Sequence, residues 1–302
     1  MTDLETPPLS SHASTRIGHT PFTDRLLRHA RASLPPSKRA STIRAYQEMP
    51  ATYFEAMERE LLHTMAASGK RFDECLADLD AFNSLTPETE NDAWYDQASA
   101  FTSMHLDALQ LGFARRRCLK TAAQIAAHAT PGQHVLEVGS GSACLAGMLA
   151  DAMPSWRFTL VDRSVEAIRF SAALQRERGT SDRVRCLQGD IAYLPAGDAS
   201  ADIVIAAEVL EHAPDPEASV GELLRVLRPG GWLAISLPID LDIAMHPVVF
   251  ANEAMILSFF GRFPLTRHES EVVAPDPAID AITDVFPGFA GCLNAVFRKN
   301  VD

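Results

Sequence analysis

The chain has 302 residues, enough for one large domain or for a domain carrying a sizeable extension. Its apolar fraction of 47% is ample for a core, yet no apolar run reaches membrane-spanning length, so no membrane partner is expected. A net charge of −12 argues against a dominant phosphate-binding surface, and nucleic acid is not the expected partner.

Taken in order, residues 1–20 are rich in Ser, Thr and Pro and read as a flexible tail. They lack the apolar core of a secretory leader, which points to a cytoplasmic location. Helical periodicity then dominates. Residues 20–34 carry Thr20 as cap, Pro21 in the first turn and Phe22, Leu26, Leu27 and Ala30 on one face. Residues 41–68 continue the pattern with an interruption near Pro50, followed by residues 72–85 and 92–129. Few strand signals occur here. Residues 21–120 therefore read as an α-helical extension, and residues 121–302 as a second domain.

The second domain opens on HVLEVGSGSACLAGMLA, residues 134–150. Val135, Leu136 and Val138 form a short apolar run with β-branched character, Gly139, Ser140 and Gly141 break it, and a helical pattern follows from about Ala143 to Met153. Glycines there permit positive φ and a close approach of the backbone to a ligand. The spacing differs from the dinucleotide fingerprint G-x-G-x-x-G, because no third glycine follows and Glu137 stands two positions ahead of the first. A carboxylate so placed suits a cationic ligand better than a pyrophosphate. More strands follow: FTLVD ending in Asp162, VRCLQGDI ending in Asp190 and Ile191, and ADIVIAAEVL ending in Glu208. Residues 222–238 then give a helix, a Pro-Gly-Gly turn and a fifth strand. An apolar helix (250–260), a strand near 265–273 and a final strand at 292–299 complete the domain. Strands alternating with helices predict a doubly wound, mostly parallel sheet with ligands at the carboxyl ends of its strands.

LEVGSGSA resembles the first motif of the class I S-adenosylmethionine (SAM) methyltransferases, E/D-x-G-x-G-x-G, with Ala143 at the third glycine position. The three following strand ends match the same family in the same order. The resemblance covers about residues 121–299 and implies a Rossmann-like seven-stranded α/β sheet whose last strand is inserted antiparallel. It implies SAM as cofactor, with S-adenosylhomocysteine as product. It assigns Glu137, Gly139 and Gly141 to the cofactor turn, Asp162 with its neighbour Arg163 to the ribose hydroxyls, and Asp190 and Ile191 to adenine. Glu208 joins them at the fourth strand end. EVLEHAPDP resembles a stretch in which a histidine often faces the pocket. His212 is therefore a candidate base, and His246 is a second. Each is also readable as a structural histidine, and that reading comes first.

Small-molecule members of that family carry N-terminal helices as a lid, and WYDQA resembles a segment lying over the cofactor. Tyr95 is thus a lid candidate, with His105 and Arg115 as further acceptor-side candidates. Helix-to-helix packing of Trp94, Tyr95 and Phe101 is the competing reading. The cysteines Cys75, Cys118, Cys144, Cys186 and Cys292 are scattered and odd in number, so neither a disulfide framework nor a zinc knuckle is indicated. No metal is expected, although Glu208, Glu211 and His212 together leave a divalent ion open. The expected activity is methyl transfer to a small molecule, with a lean towards an amino-acid-like acceptor such as the methionine thioether. O- or N-methylation of a secondary metabolite is the alternative. A SAM-binding subunit without turnover is a rival from another class, and a homodimer through the helical extension stays open.

Overall fold

A computed structural model describes residues 25, 28–29, 36–85, 92–280 and 282–301. The expected tail at 1–20, and most of the helix expected at 20–34, lie outside the described residues.

The apolar runs read from the sequence become β1 (His134–Val138), β2 (Arg157–Asp162), β3 (Val184–Gln188), β4 (Ala201–Ala207), β5 (Leu227–Pro238), β6 (Leu265–Val273) and β7 (Cys292–Lys299). They form one seven-stranded sheet in the order β3-β2-β1-β4-β5-β7-β6. The first five run parallel to one another, and β7 is antiparallel to both β5 and β6. The final strand and its hairpin partner at 265–273 thus sit as expected. Both faces of the central strands are buried. Val135, Ile203 and Ile205 enter one apolar cluster, and Leu136, Val138, Val204 and Ala206 enter the other. The expected Pro-Gly-Gly turn lies within β5, where the pairing with β4 shifts register between Ala201 and Ile203.

Helices close the faces. α6 (Phe113–Ala126), α7 (Cys144–Ala152) and α8 (Val165–Glu177) pack on one side, and α9 (Pro216–Val226) and α10 (Glu253–Phe260) on the other. Their starts follow local chemistry. Ser164 Oγ accepts from the Ala167 amide, Asp215 accepts from the Ala218 amide ahead of Pro216, and Asn252 accepts from the Met255 amide. A short α11 (Ile282–Val285) lies in the β6–β7 connection.

The N-terminal part is helical: α1 (Pro36–Gln47), α2 (Ala51–Ser68), α3 (Phe72–Asn83), α4 (Asp92–Tyr95) and α5 (Ala98–Leu109). Pro50 separates α1 from α2, and Gly69, at φ 68°, ends α2. The single helical run expected over 92–129 is broken in two places, at 96–97 and at 110–112, giving α4, α5 and α6. These helices own a cluster that includes Tyr46, Phe54, Met57, Leu61 and Leu79. The boundary expected at residue 120 falls inside α6. That helix packs on α7 and on the sheet.

Two polar clasps join the helices to the sheet. Asn294 of β7, fully buried, donates to Thr121 Oγ1 at 2.8 Å and to the Arg117 carbonyl at 3.2 Å, fixing α6 along the last strand. Glu60 of α2 accepts from Arg178 Nε at 2.9 Å, just past the end of α8. The Arg178 guanidinium reaches that position across α7, where an added Cβ at Gly147 would fall 1.8 Å from Arg178 Nη1. Burial pushes the Glu60 carboxyl up, but His105 and the charge of Arg178 outweigh it and hold the pKa at about 2.

A carboxyl depressed in the folded state stabilises above its unfolded pKa, and that stability is lost as pH falls through the folded value. Denaturant titrations should therefore find Glu60→Gln destabilised by about 2–3 kcal/mol at pH 7. The gap to wild type should shrink from pH 5 downward and vanish near pH 2. An unchanged gap across that range would remove the clasp from the stability of the fold.

Candidate active site

Strand order reverses at β1, where β2 and β4 leave to opposite sides, and a crevice opens above the carboxyl ends. A cavity of about 460 Å³ lies there, between the sheet, the N-terminal helices and the segment 239–286.

The glycine turn forms one wall. The Gly139 and Ser140 amides donate to the Val161 carbonyl at 2.8 and 3.1 Å. Gly139 and Gly141 are left-handed, at φ 68° and 49°, and a Cβ on Gly139 would meet Val209 Cγ2 at 2.6 Å. Ala143, at the third glycine position, is itself left-handed at φ 55° and wholly buried. It occupies a conformation that a glycine would take without steric cost. Asp162 ends β2 against this turn, with Oδ2 accepting from the Gly141 amide at 2.8 Å and Oδ1 from the Ser164 amide at 2.9 Å. Burial raises its pKa while those amides pull it down. Each oxygen keeps lone-pair capacity for a further donor. Asp190 and Ile191, after β3, line the same cavity, and Asp190 Oδ1 accepts from the Ala192 amide at 2.8 Å.

Glu137 is set apart from this wall and does not line the cavity. Its carboxyl is fully buried behind the turn, bonded to the Ala146 amide of α7, and burial with nearby Cys118 pushes its pKa to about 8. It supports the turn from the rear.

The far end of the cavity is built by β4 and its successor turn. Glu208 is left-handed at φ 54°, a costly state for a residue with a Cβ. It is held by the Ser236 hydroxyl, which donates to Oε1 at 2.8 Å, and by the Cys292 thiol, which donates to Oε2 at 3.3 Å. Arg117 Nη1 lies 3.6 Å from Oε1. Burial works against the Arg117 charge, but the Glu208 carboxylate outweighs it and raises the pKa. A 3-10 turn, Leu210–His212, follows. It buries Glu211, whose pKa burial and Glu208 raise well above the carboxylate range. His212 Nδ1 donates to the Met245 carbonyl at 3.1 Å, and burial and neighbouring His246 lower its pKa to about 4. His246 Nδ1 donates to the Leu241 carbonyl at 2.9 Å. The two rings stand edge to face, 4.8 Å between centroids.

Among the acceptor-side candidates, Tyr95 lines the cavity, with its ring 6.3 Å from that of His212. The Ser164 hydroxyl donates to the Tyr95 carbonyl at 3.1 Å, pinning α4 over the β2 end. His105 and Arg115 do not line it. His105 is fully buried, and its Nδ1 donates to the Ser142 carbonyl at 3.2 Å, so it braces the glycine turn. Arg115 lies over the Tyr53 ring at 4.9 Å. Arg117, two positions on, lines the cavity instead, because a helix turns about 100° per residue and α6 presents a different side there. Asp107, also on the wall, has its pKa raised to about 6 by burial.

Residues 136–235 match the family model described as a methyltransferase domain. Residues 136–235 thus form a methyltransferase domain. The chain is 37% identical over 113 residues to a probable S-adenosylmethionine-dependent methyltransferase of Mycolicibacterium smegmatis, covering 37% of this chain and 40% of the relative. It is 32% identical over 145 residues to the ubiquinone biosynthesis O-methyltransferase of Thiobacillus denitrificans, covering 47% and 56%. The match thus spans about half the length of these curated relatives. Among solved structures, the cyclase SpnF aligns with TM-score 0.54 and 21% identity, over 63% of this chain and 82% of that one. That likeness concerns the fold.

The residues of the methyltransferase domain fit SAM, the cofactor its family implies. The left-handed glycine cradle, where a Cβ on Gly139 would be blocked, and the Asp162 and Asp190 carboxylates at successive strand ends gather on the crevice wall.

Gly139→Ala forces a Cβ into Val209 at a left-handed position. Calorimetric titration should show SAM affinity down by at least ~10-fold, and unfolding should show a loss of about 1–2 kcal/mol. Gly221→Ala, on α9, is the control. An added Cβ there meets nothing within 4 Å, so SAM affinity should hold and stability should rise by roughly 0.5–1 kcal/mol.

Proposed function

We propose that the chain transfers the methyl group of SAM to a small molecule through an acceptor atom that carries a removable proton, with oxygen favoured. When bound, SAM supplies a methyl carbon on a positively charged sulfur and leaves as S-adenosylhomocysteine once the acceptor atom has taken that carbon. Asp162 is assigned to the ribose hydroxyls, since a carboxylate accepts from both oxygens of a vicinal diol. Asp190 and Ile191 are assigned to adenine. Tyr95 lines the site from α4.

One observation carries the choice of acceptor. The end of the cavity beyond the glycine turn is crowded with proton-handling groups: Glu208, Glu211, His212 and His246, with Arg117 as counter-charge. A carbonyl can only accept, so each imidazole Nδ1 bonded to one carries a hydrogen, and Nε2 is the ring nitrogen left for another partner. A thioether acceptor has no proton to lose and makes no use of such groups. A hydroxyl acceptor does, and His212 and His246 are placed to take or orient its proton. The methionine thioether is retained as the second acceptor reading, and binding of SAM without turnover as the rival outside enzymes.

Purified protein incubated with methyl-labelled SAM and a panel of phenols, carboxylates, amines and free amino acids should label an oxygen acceptor. Asp162→Ala should lower SAM affinity by about 100-fold, on the scale of a lost charge-assisted pair of hydrogen bonds. Label on methionine as a sulfonium would return the thioether to first place. SAM binding with no transfer to any compound would favour the binding subunit, and undiminished affinity in Asp162→Ala would overturn the cofactor assignment.

A further inference from the structure

We infer that Glu211, His212 and His246 form a binding site for one divalent transition-metal ion at the acceptor end of the cavity. The inference rests on the reading of this cavity as the site for a small acceptor, and it says what the two histidines hold there.

Geometry is the first support. One ligand atom from each of the three side chains lies within 4.8 Å of the other two, close enough for one ion to draw all three into contact. They come from two separate segments: Glu211 and His212 from the 3-10 turn after β4, and His246 from the connection beyond β5. Sequence spacing alone does not bring them together, and the cluster belongs to the tertiary fold.

The second support is an unmet polar atom. Glu211 is 1% exposed and lines the cavity, and its Oε2 has no hydrogen-bond partner among the described residues. Such an atom costs about 1–3 kcal/mol when left alone. Arg117 reaches Glu211 through its charge, but its ion pair is with Glu208, 3.6 Å from Oε1. A metal ion bound there gives that oxygen a partner. The third support lies behind the rings. Both Nδ1 atoms donate to backbone carbonyls, at 3.1 Å for His212 and 2.9 Å for His246. That arrangement fixes the tautomer and aims the remaining nitrogen, as the outer partners of metal-bound histidines do.

The donor set selects the ion. Two imidazoles and one carboxylate suit Zn²⁺, Co²⁺, Fe²⁺ or Mn²⁺, whereas Mg²⁺ and Ca²⁺ prefer oxygen throughout. Three protein ligands leave positions open, and the open side faces the cavity. An acceptor hydroxyl bound there is brought to a fixed place, and its proton is released more easily.

The test uses the full chain stripped with a chelator and then titrated with Co²⁺. The expected result is one Co²⁺ per chain, with visible absorption bands of nitrogen- and oxygen-bound metal. His246→Ala and the isosteric Glu211→Gln should each weaken binding by at least ~100-fold. His128→Ala, in the separate His128–Trp232–His268 stack, should leave it unchanged. SAM affinity, measured on the same samples, reports folding and the cofactor assignment independently. No Co²⁺ uptake, or uptake indifferent to His246→Ala, overturns the metal site. If SAM still binds and transfers its methyl in that case, the proposed function stands and the histidines act on the proton directly. If SAM does not bind while Co²⁺ does, the methyltransferase reading fails and the metal site survives.

Discussion

The hydrogen bond from the Gly141 amide to Asp162 Oδ2 joins the turn after β1 to the end of β2. Much else depends on it. Gly139 and Ser140 donate to the same neighbouring strand, so three successive amides of a left-handed turn are committed to β2 before any ligand arrives. The turn bows away from the sheet, α7 starts at a buried left-handed Ala143, and the crevice above β1 and β4 stays open. Elements that meet this turn do so from behind or above. Glu137 buttresses it from the rear, His105 of α5 bonds to the Ser142 carbonyl, and Ser171 of α8 bonds to the Gly141 carbonyl. The helical layer is thus attached to the cofactor turn through polar groups as well as through apolar packing.

The strand framework was open to reading because a strand buried on both faces is a short, unbroken apolar run, and the first four runs end at a glycine or a carboxylate. Asp162, Asp190 and Glu208 at the cavity follow directly from that pattern. What escaped was direction. Glu137 and Asp162 are both acidic residues near strand ends, but the pleat sends Glu137 behind the turn. Within Arg115–Arg117, helical phase decides which guanidinium faces the cavity, and one sequence gives no fixed origin for that phase. His246 lies in a segment without regular structure, so nothing periodic ties it to His212. Gly147 looks like an ordinary small residue in a helix until Arg178 is seen to pass across it.

Backbone strain marks the site as well. Among the described residues outside glycine, Ala143, Ala199, Glu208 and Asp240 are left-handed, and two of these four, Ala143 and Glu208, stand at the ends of the strands that flank the crevice. Glu208 keeps its position because Ser236, Cys292 and Arg117 all engage its carboxylate. Strain is tolerated where several partners over-determine a residue. Here they fix the mouth of the acceptor end.

β7 lies between β5 and β6, and through Asn294 it grips α6, whose Arg117 faces the cavity. The two bonded residues Thr121 and Asn294 are 173 positions apart. During synthesis the glycine turn can form once β1 and β2 have emerged. The charged side of the cavity must wait for β7, the last of the seven strands in chain order. Each nascent chain therefore passes through an interval in which its glycine turn can be complete while the cavity beside it is unfinished. Completion of the pocket is thereby tied to closure of the sheet.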